Sequence, residues 1–214
     1  MLTNYFKIKN NLTFYSLSKR IFDILFSTII LLLLVWWFFP VATILIKIDS
    51  PGPVFHIQKR KGKNCKLFNF IKFRTMRASE TGIKYNPVVK ADDRITRAGA
   101  FLRKTNLDEI PQIINVLKGE MSFVGPRPHL PVYDEEYSKY AKNLNFRYAV
   151  KPGITGLAQI SGFRGDSINE KENKLLINKR VELDLEYIEK QSFLFDLKIL
   201  AKTVLILLGV KNRT

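Results

Sequence analysis

Residues 24–46 form an apolar run without a single charged side chain. Wound as one helix, it would be about 35 Å long, against about 30 Å of bilayer hydrocarbon. Length and hydropathy therefore predict a membrane segment. Its flanks change the picture. Lys7, Lys9, Lys19 and Arg20 precede it with no acid before Asp23, and Lys47, Lys59, Arg60, Lys61, Lys63 and Lys66 follow it. Basic residues beside a membrane segment mark its cytoplasmic side, and here both sides carry the mark. A single span cannot satisfy both; a helix that enters, bends and leaves by the same face can. Pro40 lies inside the run, and proline kinks a helix by removing a backbone donor. The bend is expected near Phe39-Pro40.

Beyond the run, Asp49-Ser50-Pro51-Gly52-Pro53 reads as a turn. Two short strands are predicted at residues 54–58 and 66–73, joined by the basic 59–63 loop. Residues 78–94 are polar and irregular, and 95–102 look helical. Ile110, Ile113, Ile114 and Leu117 keep the i, i+3, i+4, i+7 spacing of a helix face, which Gly119 stops. A polar helix is expected at 134–146, a glycine-rich loop at 152–165, and a charged helix at 170–190. Residues 192–208 are largely apolar, with Asp196, Lys198 and Lys202 their only charges, the pattern of an amphipathic helix at a membrane interface. The fold class expected is α/β, mostly α. The chain divides into an arm (1–18), a re-entrant membrane helix (19–47), a catalytic domain (48–191) and a C-terminal interfacial helix and tail (192–214).

Composition narrows the chemistry. Among 214 residues, 35 Lys and Arg face 19 Asp and Glu, a formal net charge of +16. Such a chain calls for an anionic partner: nucleic acid, acidic lipid or a phosphorylated substrate. One cysteine, Cys65, excludes an intrachain disulfide and a cysteine zinc cluster, and two histidines make a multi-histidine site a poor fit. Any metal should be held by carboxylates and phosphates, which favours magnesium or manganese.

The most suggestive constellation is Arg103-Lys104-Thr105-Asn106-Leu107-Asp108-Glu109-Ile110-Pro111-Gln112. Two adjacent carboxylates stand where a helix begins, with Pro111 suited to a first turn and Asn106 or Asp108 to a cap. An ionised Asp there can serve as nucleophile or metal ligand, and the neighbouring Glu as base or second ligand. Basic residues frame the pair. Alternation puts Lys72 and Arg74 on one face, Arg94, Arg97 and Arg103 come just before the carboxylates, and Arg127 lies between two prolines. Guanidinium groups clamp phosphates bidentately.

These residues carry a resemblance. The order of Lys19-Arg20-Ile21-Phe22-Asp23, Asp49-Ser50-Pro51-Gly52-Pro53, Lys72-Phe73-Arg74-Thr75-Met76, Asp92-Asp93-Arg94-Ile95-Thr96-Arg97, Leu107-Asp108-Glu109-Ile110-Pro111-Gln112, Val124-Gly125-Pro126-Arg127-Pro128 and Lys151-Pro152-Gly153-Ile154-Thr155-Gly156 is similar to that of the bacterial sugar transferases called monotopic phosphoglycosyl transferases. Members move a sugar 1-phosphate from a UDP-sugar to undecaprenyl phosphate and release UMP. About 190 residues fit, which suggests the minimal form. The resemblance implies that Asp108 is the nucleophile of a phosphosugar-enzyme intermediate, that Glu109 is its partner, and that magnesium bridges Asp108 and the diphosphate with Glu109 stabilising the metal site. Arg103 and Arg127 match basic residues near the phosphates. Lys72, Arg74, Arg94, Arg97, Lys151 and Arg164 complete the expected substrate-binding set. The resemblance further implies a bacterial inner-membrane protein with its catalytic domain on the cytoplasmic face, partners in UDP-sugar, undecaprenyl phosphate and the lipid bilayer, and no nucleic acid. It leaves the glycan pathway and the oligomeric state open, a homodimer included. Gly125 to His129 and the Gly162–Asp166 loop look most like members transferring glucose or galactose phosphate.

Two departures stand out. Many members have a Ser-Pro pair midway along the membrane helix; the comparable position here falls near Trp36-Trp37, and Pro40 comes a turn later. Lys59 and Lys61 flank Arg60 where relatives often have an acidic and an apolar residue. The competing class is non-enzymatic: a membrane-tethered basic module binding anionic lipid or nucleic acid, with no need of Asp108-Glu109.

Overall fold

The computed structural model describes residues 12–77, 92–167 and 169–209. The 78–94 stretch, expected to be irregular, lies largely outside them. The chain is mostly helical with two small sheets. The apolar run falls in two helices, α1 (Leu12–Val35) and α2 (Phe38–Asp49). The break is at Trp36-Trp37, not at Pro40 as the sequence suggested. Pro40 sits in the first turn of α2, where a backbone N–H has no intrahelical acceptor, so it favours the start of the second helix rather than disrupting the first. Among the described residues no single helix is long and apolar enough to cross a membrane; Tyr15–Val35 and Phe38–Asp49 meet that test only together, bent by 59°.

Strands β1 (Phe55–Lys61) and β2 (Leu67–Phe73) form the expected antiparallel hairpin, with Phe55 opposite Phe73. Helix α3 (Arg97–Lys104) is capped by the Thr96 hydroxyl, which accepts from Gly99 N at 3.0 Å. A 3-10 turn, Leu107–Glu109, precedes α4 (Gln112–Lys118), and Gly119 ends α4 in the left-handed conformation (φ 82°). Asn106, at the start of that turn, makes no side-chain cap bond. Two sequence expectations fail locally. The polar helix at 134–146 is a shorter α5 (Pro131–Ser138) followed by a 3-10 segment, Leu144–Ala149. The 152–165 loop contains β4 (Gly153–Thr155), paired parallel with β3 (Ser122–Val124), and a short α6 (Leu157–Ile160). Backbone contact needs the glycines here: a Cβ on Gly153 would lie 2.1 Å from Gly125 N. Helices α7 (Glu170–Lys190) and α8 (Phe193–Leu207) close the chain.

The residues at 19–23 lock α1 to the rest. Arg20 caps α4, donating to Val116 O at 2.6 Å and Leu117 O at 2.7 Å, two carbonyls that a helix end leaves open. The buried Asp23 accepts from Ser122 Oγ (3.1 Å) and Phe123 N (3.2 Å) of β3. Lys19 pairs with Asp196 of α8. Phe22 packs edge-on against Phe123, 6.3 Å between centroids, beside a core of Phe68, Phe70, Val116, Met121, Tyr187 and Ile199. Opposite faces remain bare: Leu25, Leu33, Trp36, Ile44 and Ile48 of the helical pair and Leu194 and Val204 of α8 are exposed.

Candidate active site

Three devices assemble the site. The first holds α4 against the hairpin. Asn115 donates to Asn69 O (2.7 Å) and to Glu120 Oε2 (2.7 Å), and accepts from Ile71 N (3.1 Å), so the turn carrying Asp108 and Glu109 sits beside Lys72 of β2. The second fixes the Pro-Arg-Pro loop. Gly125 N donates to Thr155 O and Gly153 N to Pro126 O, both at 2.9 Å, and Arg60 donates to Pro128 O at 2.6 Å. The third anchors the 163–166 loop: Arg180 donates to Phe163 O (3.1 Å), to Asp166 Oδ1 (3.0 Å) and to Gly165 O.

Between them opens a polar cavity of about 490 Å3. Asp108 and Glu109 lie in its wall with Lys72, Arg103, Arg127 and Arg164. Both Glu109 oxygens are taken by Arg127, whose Nη1 and Nη2 donate at 3.1 and 2.6 Å. Arg164 Nη2 adds a third cationic contact to Oε1 at 3.1 Å. Burial pushes this carboxyl up, but Arg127 and Arg164 more than offset that and bring it down to about 2. Asp108 is different. It is 7% exposed, and its carboxylate has no hydrogen-bond or ion-pair partner among the described residues. Burial, then the adjacent Glu109 charge, raises its pKa, against the pull of Lys72, Arg103 and Arg127. Lys72, desolvated and near Arg60 and Arg103, is lowered to about 8.

Half of the basic set expected from sequence is not in this cavity. Arg74 lies just past the end of β2 and turns inward, donating to Pro51 O (2.5 Å) and Ser50 O (2.6 Å); the alternation that paired it with Lys72 ends at Phe73. Arg94 is engaged with Asp92 at 2.5 Å. Arg97 opens α3, and neither it nor Lys151, which stands near Arg20 and Gly119, lines the cavity. Arg60, Tyr137 and Arg180, outside the set expected from sequence, also line it. Arg180 had a legible signal. Ile177, Val181, Asp184, Tyr187 and Ile188 repeat at helical spacing, and Arg180 shares their buried face.

The donor set fits a hard divalent cation. Asp108 offers an open carboxylate and Glu109 keeps lone pairs beyond its arginine bonds. Among the described residues no third His, Cys, Asp or Glu joins them, so the remaining positions would go to phosphate oxygens and water.

A family model described as "Bacterial sugar transferase" matches residues 14–210. The chain belongs to that family. A UDP-glucose:undecaprenyl-phosphate glucose-1-phosphate transferase of Escherichia coli is 45% identical over 188 residues, 88% of this chain and 39% of the relative. One of the same description from Caulobacter vibrioides is 40% identical over 196 residues, 92% of this chain and 72% of the relative. An exopolysaccharide production protein of Rhizobium leguminosarum is 43% identical over 194 residues, covering 87% and 92%. The chain spans 39% and 34% of the length of the first two curated relatives it matches.

Proposed function

We propose that this chain transfers a sugar 1-phosphate from a UDP-sugar to a polyprenyl phosphate, with Asp108 as nucleophile. The observation that carries the reading is a buried carboxylate with no partner among the described residues, in a wall of cations and next to a carboxylate that two arginines hold ionised. Asp108 Oδ attacks the sugar-bearing phosphorus; the bond to UMP breaks and UMP leaves, giving an aspartyl phosphosugar. A phosphate oxygen of the polyprenyl phosphate then attacks the same phosphorus and releases Asp108, forming a polyprenyl diphosphate sugar. Arg103, Arg127 and Lys72 offset the repulsion between an anionic nucleophile and an anionic diphosphate. Asp108 and Glu109 would hold magnesium, which supplies further charge neutralisation at the phosphates when bound. Glu109 helps activate the acceptor phosphate in the second step.

Glucose is the sugar favoured by the relatives' names, and galactose the alternative, since a Streptococcus agalactiae relative 42% identical over 170 residues is named a galactosyl transferase. The name of the Rhizobium leguminosarum relative supports a place in exopolysaccharide production. The bent pair α1–α2 is read as a re-entrant membrane segment, with α8 at the same interface of a bacterial inner membrane and the site on the cytoplasmic side. The 59° bend and the exposed apolar faces support this, as do basic flanks on both sides.

The test is UMP release by purified protein, with undecaprenyl phosphate and a panel of UDP-sugars. Release with UDP-glucose or UDP-galactose that needs the acceptor for turnover is expected; release only with N-acetylated donors would refute the sugar, and none at all the reaction. For topology, Cys65→Ser with single cysteines placed at Asn4 or Asn212 should resist an impermeant thiol reagent in intact cells. Labelling at position 4 from outside would establish a true span.

A further inference from the structure

A second cavity, of about 350 Å3, lies on the other side of Glu109. Asn106, Glu109 and Arg164 line both cavities. Beyond these three, its wall is largely apolar: Ile30 and Leu34 of α1, Leu107 and Ile110 of the active-site turn, and Ile206 and Leu207 of α8. Two of its polar members satisfy each other, Thr155 and Thr203 hydroxyls lying 2.7 Å apart. Ile206 and Leu207, 40% and 53% exposed, leave the groove open along the bare faces of α1 and α8. The partition between the two cavities carries one cation, Arg164, paired with the ionised Glu109. Arg164 bridges Asn106 Oδ1 and Glu109 Oε1, and its side chain is 41% exposed.

We infer that this groove holds the first isoprene units of the acceptor lipid, with the lipid's phosphate meeting Arg164 at the partition. The inference rests on the proposed reaction and deepens it. A lipid phosphate is apolar along its length and anionic at one end; the groove has the same polarity in the same order, with the cation at the end that adjoins Asp108's cavity. A soluble nucleotide would gain nothing from Ile30, Leu34 and Ile206, because burying polar atoms against them leaves hydrogen bonds unmade. A UDP-sugar therefore belongs in the polar cavity and the lipid in the apolar one, so the two substrates reach the Asp108–Glu109 pair from opposite sides.

The experiment uses the full-length protein in micelles with a polyprenyl phosphate bearing a diazirine in its first isoprene unit. On irradiation, label should map to residues 30–34 and 203–207. Excess undecaprenyl phosphate should compete it away, and phosphatidylglycerol should not. Ile206→Trp, which fills the mouth, should abolish this labelling and raise the acceptor KM about tenfold or more. Its single-turnover formation of a sugar-phosphate adduct from UDP-sugar alone should stay at the wild-type rate, which also reports an intact fold; Leu34→Trp should behave alike. Label elsewhere, or competition by phosphatidylglycerol, would overturn the assignment, the latter by showing an ordinary lipid chain in the groove. Equal loss of adduct formation in both variants would also overturn it. Absence of any adduct in the wild type is a separate result: it would refute the proposed reaction, while the cross-linking pattern would still report on the groove.

Discussion

Arg147 donates through Nη2 to the backbone carbonyl of Arg127 at 2.7 Å. The same guanidinium grips Asp184 of α7 through Nε (3.0 Å) and Nη2 (2.7 Å), and both side chains are almost fully buried. Arg127 in turn clamps Glu109. Asp184, 57 residues downstream of Arg127, thus helps set where this arginine of the candidate site stands. Replacing Arg147 by Lys keeps the charge but loses the planar fork. Transfer should fall at least about tenfold, and because a lysine cannot make all the bonds to Asp184 and to Arg127 O, about 1–3 kcal/mol of stability is at risk. Thermal unfolding and kcat/KM, measured on the same preparation, check both effects; unchanged kcat/KM would show that Arg127 needs no such support.

The Glu109–Arg127 pair has a pH signature. The Glu109 carboxyl is held at about 2, below its ordinary 4.5. The folded state therefore binds fewer protons than the unfolded chain in that window, and stability rises with pH through it. The contribution should be complete above about pH 5 and lost as pH falls from 4.5 towards 2. Melting curves from pH 6 to pH 3 should drop more steeply for wild type than for Glu109→Gln. Parallel curves would contradict the depressed pKa.

Lys72 should limit the enzyme from the alkaline side. Its pKa is lowered to about 8 by desolvation and by Arg60 and Arg103, so its charge is lost as pH rises through that value. The kcat/KM for UDP-sugar, which reports the free enzyme, should decline above about pH 8. Lys72→Arg should hold a flatter profile, since guanidinium stays charged. An identical decline in the variant would place the titrating group elsewhere.

A carboxylate-and-phosphate metal site should be labile. EDTA should stop turnover and added magnesium restore it, because two protein carboxylates cannot hold a hard cation as tightly as a complete cage. Activity persisting after chelation and dialysis would contradict this.

Much of this site was legible from residue order. Asp108-Glu109 before a periodic apolar helix, and Arg127 between prolines, were singled out by local chemistry, and the hairpin, α7 and α8 by their periodicity. What escaped depended on contacts distant in sequence. The β3–β4 pairing joins two three-residue segments about thirty residues apart, too short for alternation to register. Arg60 looked like part of a solvated basic loop, yet it lies within β1 and bonds Pro128 O. Arg74 and Lys72 are two residues apart on one apparent strand, but the strand ends between them. Pro40 reads in sequence as a breaker, whereas its place in a first turn makes it a starter.

The central claim is that Asp108 forms a covalent bond to phosphorus. Wild-type protein incubated with UDP-glucose alone should gain the mass of a hexose phosphate by intact mass spectrometry, the adduct mapping to the peptide that contains Asp108 and disappearing when undecaprenyl phosphate is added. Asp108→Asn should show neither adduct nor turnover, because an amide is a poor nucleophile and metal ligand. An adduct on any other residue, or full turnover by Asp108→Asn, would contradict the account.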